Sequence, residues 1–289
     1  MSRYPLDPDA EALARVALDF LERASDPDGR FRLRCDAAGR WTDDPASDDA
    51  TGRAIHGLGT AVALAPWSAV RDRARVLFER CTGFRSPHLR ATAHAAIGAV
   101  EVLEAEPELG DARPLVEAAL GLLDGTPRTG WWRWPEPELT YGNALLPEAQ
   151  LAAAGFFGDE AAMEQALAVL EWLVGVETQH GWFSFTPVSG RGPDDTGGPM
   201  FDQQPIEAWT MVDACARAFE LTQHRRWLER ARRGVDWFFG ANDVGVPVFD
   251  PGTHGGHDGL EPDGVNRNQG AESTLAFVGS LVRYAEIAA

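Results

Sequence analysis

The most constraining feature of the sequence is a strict alternation between two kinds of segment, both with the apolar spacing of an α-helix. One kind carries many charges on one face, as in RDRARVLFER, and the other is poor in charge and rich in small residues, as in ATAHAAIGAV. Charged segments suit an outer layer with one wet face, whereas small-residue segments suit burial on nearly all sides. The alternation predicts an all-α chain folded as an α/α toroid, in which inner helices line a ring and outer helices wrap it.

Ten segments follow this pattern and pair into about five to six helical hairpins. We predict helices at residues 9–24, 50–64, 67–81, 89–105, 112–124, 143–157, 160–178, 203–222, 225–241 and 269–288. A chain of 289 residues is long enough for one large domain or two ordinary ones, and we expect a single domain over residues 1–289.

The connections differ in length. Most connections from outer to inner helices are long, and they cover residues 25–48, 125–142, 179–202 and 242–268. In a toroid these loops lie on one face, and long loops gathered on a rigid scaffold often carry function. Two of them contain alternating segments, GRFRLRCDAAGRW and GWFSFTPV, that could form small hairpins.

Charge and composition exclude several classes of function. The formal net charge of −18 repels phosphate backbones, so nucleic acid is not an expected partner. The absence of lysine excludes Schiff-base chemistry and a P-loop. The three cysteines have no metal-ligand spacing, so no metal or other cofactor is expected. Without an apolar span or a secretory signal, we expect a cytoplasmic protein that does not contact membranes.

Carboxylates near the starts of inner helices are the first candidates for catalysis. Glu148, Glu207 and Glu272 each lie in the first or second turn of an apolar inner helix, and Asp202 precedes one of these helices. Each could instead serve as a cap or interact with the helix dipole. If they are buried together, some of their pKa values must rise, as general acid–base catalysis requires.

Polar residues that could hold a saccharide surround the same helix starts. Arg53, four residues after Asp49, could pair either with Asp49 or with a substrate carboxylate. Several amides precede buried helices, and amides suit hydroxyl-rich ligands because they both donate and accept. These amides are Asn143, Gln203, Gln204, Asn266, Asn268 and Gln269.

Aromatic and histidine side chains complete the candidate set. Trp131 and Trp132 could stack on the apolar faces of sugar rings or simply pack on the rim of the toroid. His94 is either a satisfied core histidine or a ligand contact. His254 and His257 lie in a Gly-rich loop, where pocket lining is favoured over a metal site because no third ligand is fixed by spacing.

Three motifs resemble the six-hairpin glycosidase-like superfamily: DDATGRA at 48–54, WPEP at 134–137 and NRNQGAEST at 266–274. The last is similar to a segment of bacterial domains found alone or beside glycosyltransferases. The resemblance implies an α/α toroid and a carbohydrate-related role, and a glycosyltransferase is a possible partner. It fixes no single activity, because the superfamily includes inverting glycosidases, uronide hydrolases, sugar epimerases and accessory domains.

The leading hypothesis is therefore a saccharide-active enzyme, a glycoside hydrolase in which Glu207 and Glu272 act as acid and base. In this hypothesis Asp202 and Glu148 are reserve carboxylates. One alternative is a non-catalytic module that binds glycans or accompanies a glycosyltransferase. Another is a sugar epimerase, which needs a base on each face of the sugar and would make His94 and His254 essential.

Overall fold

The computed structural model describes residues 7–43, 46–124, 130–195 and 197–289. Contacts between Cα atoms divide the chain into two compact units, residues 1–122 and 123–289. The prediction of one domain over residues 1–289 stays a prediction. None of the helices in the described residues is both long and apolar enough to cross a membrane.

The first unit is helical. Its helices are α1 (Pro8–Ala24), α2 (Asp48–Leu64), α3 (Ser68–Glu79), α4 (Leu89–Ala105) and α5 (Arg113–Glu117), with a 3₁₀ turn at Gly110–Ala112. Ser47 caps α2 because its hydroxyl accepts the N–H of Ala50. The two small-residue helices, α2 and α4, form the centre of the unit, as the sequence predicts for inner helices.

Glycines allow the backbones of α2 and α4 to touch. A Cβ atom added to Gly59 would lie 2.6 Å from the Cα of Gly98, and one added to Gly98 would lie 2.7 Å from the Cα of His56. Only residues without a side chain fit at this crossing. The close contact of the two backbones therefore sets the positions of the side chains beside the crossing.

The second unit combines helices with short hairpins. Its elements are α6 (Leu145–Phe157), α7 (Glu160–Val176), β1 (Thr178–Gln179), β2 (Trp182–Phe183), α8 (Pro205–Thr222), α9 (Arg225–Phe238), β3 (Gly259–Glu261), β4 (Gly264–Asn266) and α10 (Ala271–Ala288). Strands β1 and β2 pair antiparallel, as do β3 and β4. Helices α6 and α8 are buried along most of their length, as predicted for inner helices.

Two predictions about the elements were wrong, and one hairpin was missed. The predicted helix at 112–124 ends at Glu117, because the chain then turns through i→i+3 hydrogen bonds such as Leu122 N–H to Ala119 O. Helix α10 is not buried on nearly all sides: it packs one side against α8 and α9 and leaves Leu275 and Val278 exposed. The hairpin of β3 and β4 was not predicted, since Gly-rich segments carry little strand signal.

Candidate functional site

A pocket of about 220 Å³ lies at the start of α8 in the second unit. It is lined by Thr140, Tyr141, Thr186, Pro187, Val188, Gln204 and Glu207. Hydroxyl, phenol, amide and carboxylate groups thus surround a small space beside two apolar residues. This mixture suits a hydroxyl-rich ligand with apolar patches, such as a sugar.

Glu207 lines this pocket and is hydrogen-bonded to the loop before α6. Its carboxylate accepts the backbone N–H of Gly142 at 2.5 Å, the backbone N–H of Asn143 at 3.3 Å and the side-chain amide of Asn143 at 3.2 Å. Three N–H donors suit an anion that accepts and does not give up a proton. Glu207 therefore positions the loop of Tyr141 from inside the pocket.

The two neighbouring glutamines have different roles. Gln203 is fully buried, and its amide bonds to the backbone of Phe185 and Met200 and to the carboxylate of Asp243. Gln204 lines the pocket, and its side chain makes no hydrogen bond within the described residues. Gln204 is thus the amide available to a ligand, whereas Gln203 joins loops of the scaffold.

The first unit carries a row of polar residues along one side of α2. Asp49, Arg53, His56 and Thr60 follow one another along α2 at helical spacing and are partly exposed, while most other positions of the helix are buried. Arg53 donates to Asp49 at 3.0 Å, which is one of the two pairings that the sequence allowed. Thr60 donates to Glu101 of α4 at 2.6 Å.

A histidine pair stands in the middle of this polar face. The Nδ1 atom of His56 lies 3.1 Å from the Nδ1 atom of His94, which projects from α4. Burial of His94, together with the charges of His56 and Arg53, lowers the pKa of His94 well below its usual 6.5. His94 is therefore a neutral base at neutral pH, held against a second imidazole.

Asp202 occupies an acidic corner next to β3. Burial, and then the charges of Glu261 and Asp258, raise the pKa of Asp202 above its usual value. Its Oδ1 atom is buried and has no hydrogen-bond partner among the described residues. Its side chain abuts Gly259, so the carboxyl group is not one of the groups that line the pocket.

The amides before α10 form a network of their own. Asn268 donates to Asp258, and Gln269 bridges Thr253 and Asp250. The Oδ1 atom of Asn266 accepts the backbone N–H of Asn268 at 3.1 Å. These contacts order the loop before α10, and none of these three amides lines the pocket at Gln204.

Of the two remaining glutamates, Glu148 is buried on α6 and Glu272 is exposed on α10. Burial acts to lower the pKa of Arg283, but its hydrogen bond to Glu220 and the charges of Asp213 and Glu148 raise that pKa. Glu148 thus belongs to the charged surroundings of Arg283. Of the three predicted glutamates, Glu148 and Glu207 are buried and Glu272 is not.

The loop at 254–258 contains the two histidines that suggested a metal site. His254 is exposed and has φ of 61°, and His257 is buried. Among the described residues, no group of three or more histidine, cysteine, aspartate or glutamate side chains is arranged to hold a metal ion.

Trp131 and Trp132 cluster with Trp172 of α7. The rings of Trp131 and Trp132 are perpendicular at 5.4 Å, and those of Trp132 and Trp172 are close to perpendicular at 5.1 Å. Trp131 is 53% exposed. The cluster does not line the pocket at Gln204.

Several residues of these sites were missed in the sequence. Tyr141 and Thr186 of the pocket lie in loops, where no periodicity marks the side that faces a ligand. His56 and Thr60 did leave a signal: with Asp49 and Arg53 they place a polar residue at every turn of a small-residue helix.

Comparison with known proteins gives matches in structure only. No protein-family model matches the chain, and no curated protein matches its sequence. Cellobiose 2-epimerase from Bacillus thermoamylovorans matches with a TM-score of 0.67 and 14% identity, over 98% of this chain and 82% of that one. D-mannose isomerase matches with a TM-score of 0.59 and 14% identity, over 92% of this chain and 78% of that one.

The chain has the α/α toroid fold. The predicted fold class is therefore confirmed. Identity of 14% to both structures means that the likeness concerns the fold and not the activity.

Proposed function

We propose that the protein is a carbohydrate-active enzyme of the epimerase or isomerase class, which moves a proton at the carbon beside a sugar carbonyl. The fold supports this class, because the two matching structures are a 2-epimerase of cellobiose and an isomerase of mannose. The observation that carries the proposal within this chain is the contact between His56 and His94.

Such a reaction needs a base that can return the proton it takes. The base removes the hydrogen on the carbon next to the carbonyl, and the electrons of the broken C–H bond form an enediolate. Epimerisation needs a second group on the other face of the sugar to deliver a proton to the same carbon, since return of the proton by the first base restores the starting sugar. Delivery of the proton to the former carbonyl carbon, with a second proton moving between the two oxygens, gives the ketose.

The histidine pair has the properties that this chemistry requires. His94 is neutral at neutral pH because burial disfavours its charged form, so it keeps a lone pair for a proton but is a weaker base than a free imidazole. The contact with His56 lets a proton pass between the rings, which suits a group that both takes and returns a proton. Arg53 lies one turn before His56 on α2 and would stabilise the negative oxygen of the enediolate.

The pocket of the second unit supports a saccharide as ligand. Tyr141, Thr186 and Gln204 offer donors and acceptors, and Glu207 adds an acceptor. Neutral hydroxyls are compatible with its acidic side chain, whereas a phosphorylated sugar would be repelled. We therefore propose an uncharged saccharide as the ligand of this pocket.

The glycoside hydrolase hypothesis is less well supported than this one. Glu207, its proposed acid or base, is held by three N–H donors, and Glu272 is exposed. A glycosyltransferase partner has no support from the two matching structures.

Incubation with cellobiose or D-mannose in D₂O tests the proposal. An epimerase or isomerase incorporates deuterium at the carbon beside the carbonyl and produces a second sugar, both visible by NMR. Release of glucose from cellobiose without deuterium would support a hydrolase instead. Binding of these sugars without either change would leave a binding module and refute the enzymatic proposal.

A further inference from the structure

An aromatic cluster lies outside the pocket, on the surface of the second unit. It consists of Trp131, Trp132, Trp134 and Trp172, with Trp134 stacked on Trp172 at 6.3 Å and 17°. Trp134 is fully buried and Trp131 is 53% exposed. The indole of Trp131 is therefore the one in this cluster that is most exposed to solvent.

The exposed indole is held in a fixed position. The indole N–H of Trp172 donates to the backbone carbonyl of Trp131 at 2.9 Å. The indole N–H groups of Trp132 and Trp134 donate to the backbone carbonyl and to the carboxylate of Glu136, respectively. Because its neighbours are anchored, Trp131 presents an ordered aromatic face whose immobilisation costs little on binding.

The cluster and the pocket rest on the same end of α7. Thr186, which lines the pocket, donates its hydroxyl to Glu177, the residue that follows α7. Trp172 precedes Glu177 by five residues, which is about 7.5 Å along a helix. The loop that carries Trp131 continues to Thr140 and Tyr141 of the pocket. Within this loop, Leu139 forms an antiparallel bridge with Arg191.

The pocket itself is small. Its volume of about 220 Å³ is below the roughly 300–1,000 Å³ that ligand pockets usually have. A single sugar unit suits that space, and the remaining units of a longer saccharide must lie on the surface beside it. Exposed aromatic rings are the surface that the apolar faces of sugar rings favour.

We propose that Trp131 is a binding platform for a distal sugar unit, so that the substrate class is an oligosaccharide and not a free monosaccharide. This inference rests on the proposed function, since it assigns a part of the substrate to the cluster. Glu136 and Trp172 act as positioning residues for the platform.

Isothermal titration calorimetry with D-mannose, cellobiose and cellotetraose tests the platform. Trp131→Ala should weaken cellotetraose binding about tenfold and leave D-mannose binding unchanged, because only the longer chain reaches the indole. Trp131→Phe should recover part of the loss. Leu275→Ala, which removes an equally exposed apolar side chain from α10, is the matched control and should change neither affinity.

The outcomes separate this inference from the proposed function. Equal affinities of the wild type and Trp131→Ala for cellotetraose would overturn the platform and leave the enzyme proposal intact; a protein partner at Trp131 would give this result. An equal loss of affinity for D-mannose and cellotetraose in Trp131→Ala would also overturn the platform, since the substitution would then affect binding in the pocket and not binding of a distal sugar unit. If no saccharide binds the wild type, the proposed function fails and the platform fails with it.

Discussion

The Nδ1 atoms of His56 and His94 lie 3.1 Å apart between two helices whose backbones touch. One nitrogen must donate and the other accept, so the two rings share one hydrogen. Thr60 and Glu101 form a second contact further along the same helices, and Arg53 with Asp49 forms another on α2. Two imidazoles that share one hydrogen can pass a proton between them, which makes this face the candidate for proton transfer.

Replacement of either histidine should abolish most of the proposed activity. His94→Gln and His56→Gln keep hydrogen-bonding groups but remove the base, so we expect kcat to fall by about 10²–10⁴. The measurement is deuterium incorporation into cellobiose or D-mannose by NMR. His88→Gln alters an exposed histidine just before α4 and serves as the control. Near-normal exchange in both variants would rule out the pair as the catalytic base.

Glu207 should matter for structure and substrate affinity more than for the chemical step. Glu207→Ala leaves the N–H groups of Gly142 and Asn143 without their acceptor, so we expect a loss of about 2–4 kcal/mol in the free energy of unfolding. Glu207→Gln retains one acceptor oxygen and should lose less. Urea unfolding measures this loss, and KM should rise more than kcat falls because the loop of Tyr141 moves.

The opposite result for Glu207 would be equally informative. A fall in kcat of about a thousandfold with unchanged stability and KM would identify Glu207 as an acid or base. The glycoside hydrolase hypothesis predicts that outcome for Glu207→Gln.

Helical periodicity made most of the fold predictable. The bounds of α4 are those that the sequence predicts, because a long small-residue segment between His88 and Glu106 leaves few alternatives. The helix at 112–124 was predicted too long because turns with i→i+3 bonds share the apolar spacing of a short helix. Burial of α10 depends on neighbours that periodicity does not identify.

The site was predictable only in part. Gln203 and Gln204 have the same chemistry and adjacent positions, yet only Gln204 lines the pocket. In an extended segment successive side chains point to opposite sides, and composition does not reveal which side faces a ligand. The contact of His56 with His94 joins residues 38 positions apart, so it depends on the crossing of α2 and α4.

Asp202 should make the protein less stable at neutral pH than at acidic pH. Burial and the charges of Glu261 and Asp258 raise its pKa in the folded state above the usual 3.8. The folded protein then favours the protonated form of Asp202. This preference contributes to the free energy of unfolding below pH 3.8, and the contribution is lost as the pH rises through the folded pKa. Asp202→Asn removes the charge and should raise the melting temperature at pH 7 by up to about 3 °C.

The pH dependence provides the control for Asp202. At about pH 3 the carboxyl group is protonated in both states, so wild type and Asp202→Asn should melt at similar temperatures. A lower melting temperature for Asp202→Asn at pH 7 would mean that the carboxylate is stabilising, contrary to the raised pKa.

The crossing of α2 and α4 should tolerate no side chain at Gly98. An alanine there would bring its Cβ to 2.7 Å from the Cα of His56 and 2.5 Å from the carbonyl oxygen of Ile55, both backbone atoms that cannot rotate away. We expect Gly98→Ala to lower the free energy of unfolding by about 1–3 kcal/mol, as overpacking does.

Because the helices must separate at His56, the contact with His94 should lengthen and the exchange of deuterium should fall further than the loss of stability explains. Gly57→Ala, on α2 beside His56, is the control, since its added Cβ meets no atom within 4 Å. That variant should keep its activity and gain up to about 1 kcal/mol of stability from helix propensity. If Gly98→Ala were as active and as stable as Gly57→Ala, the close crossing, and with it the fixed geometry of the histidine pair, would be refuted.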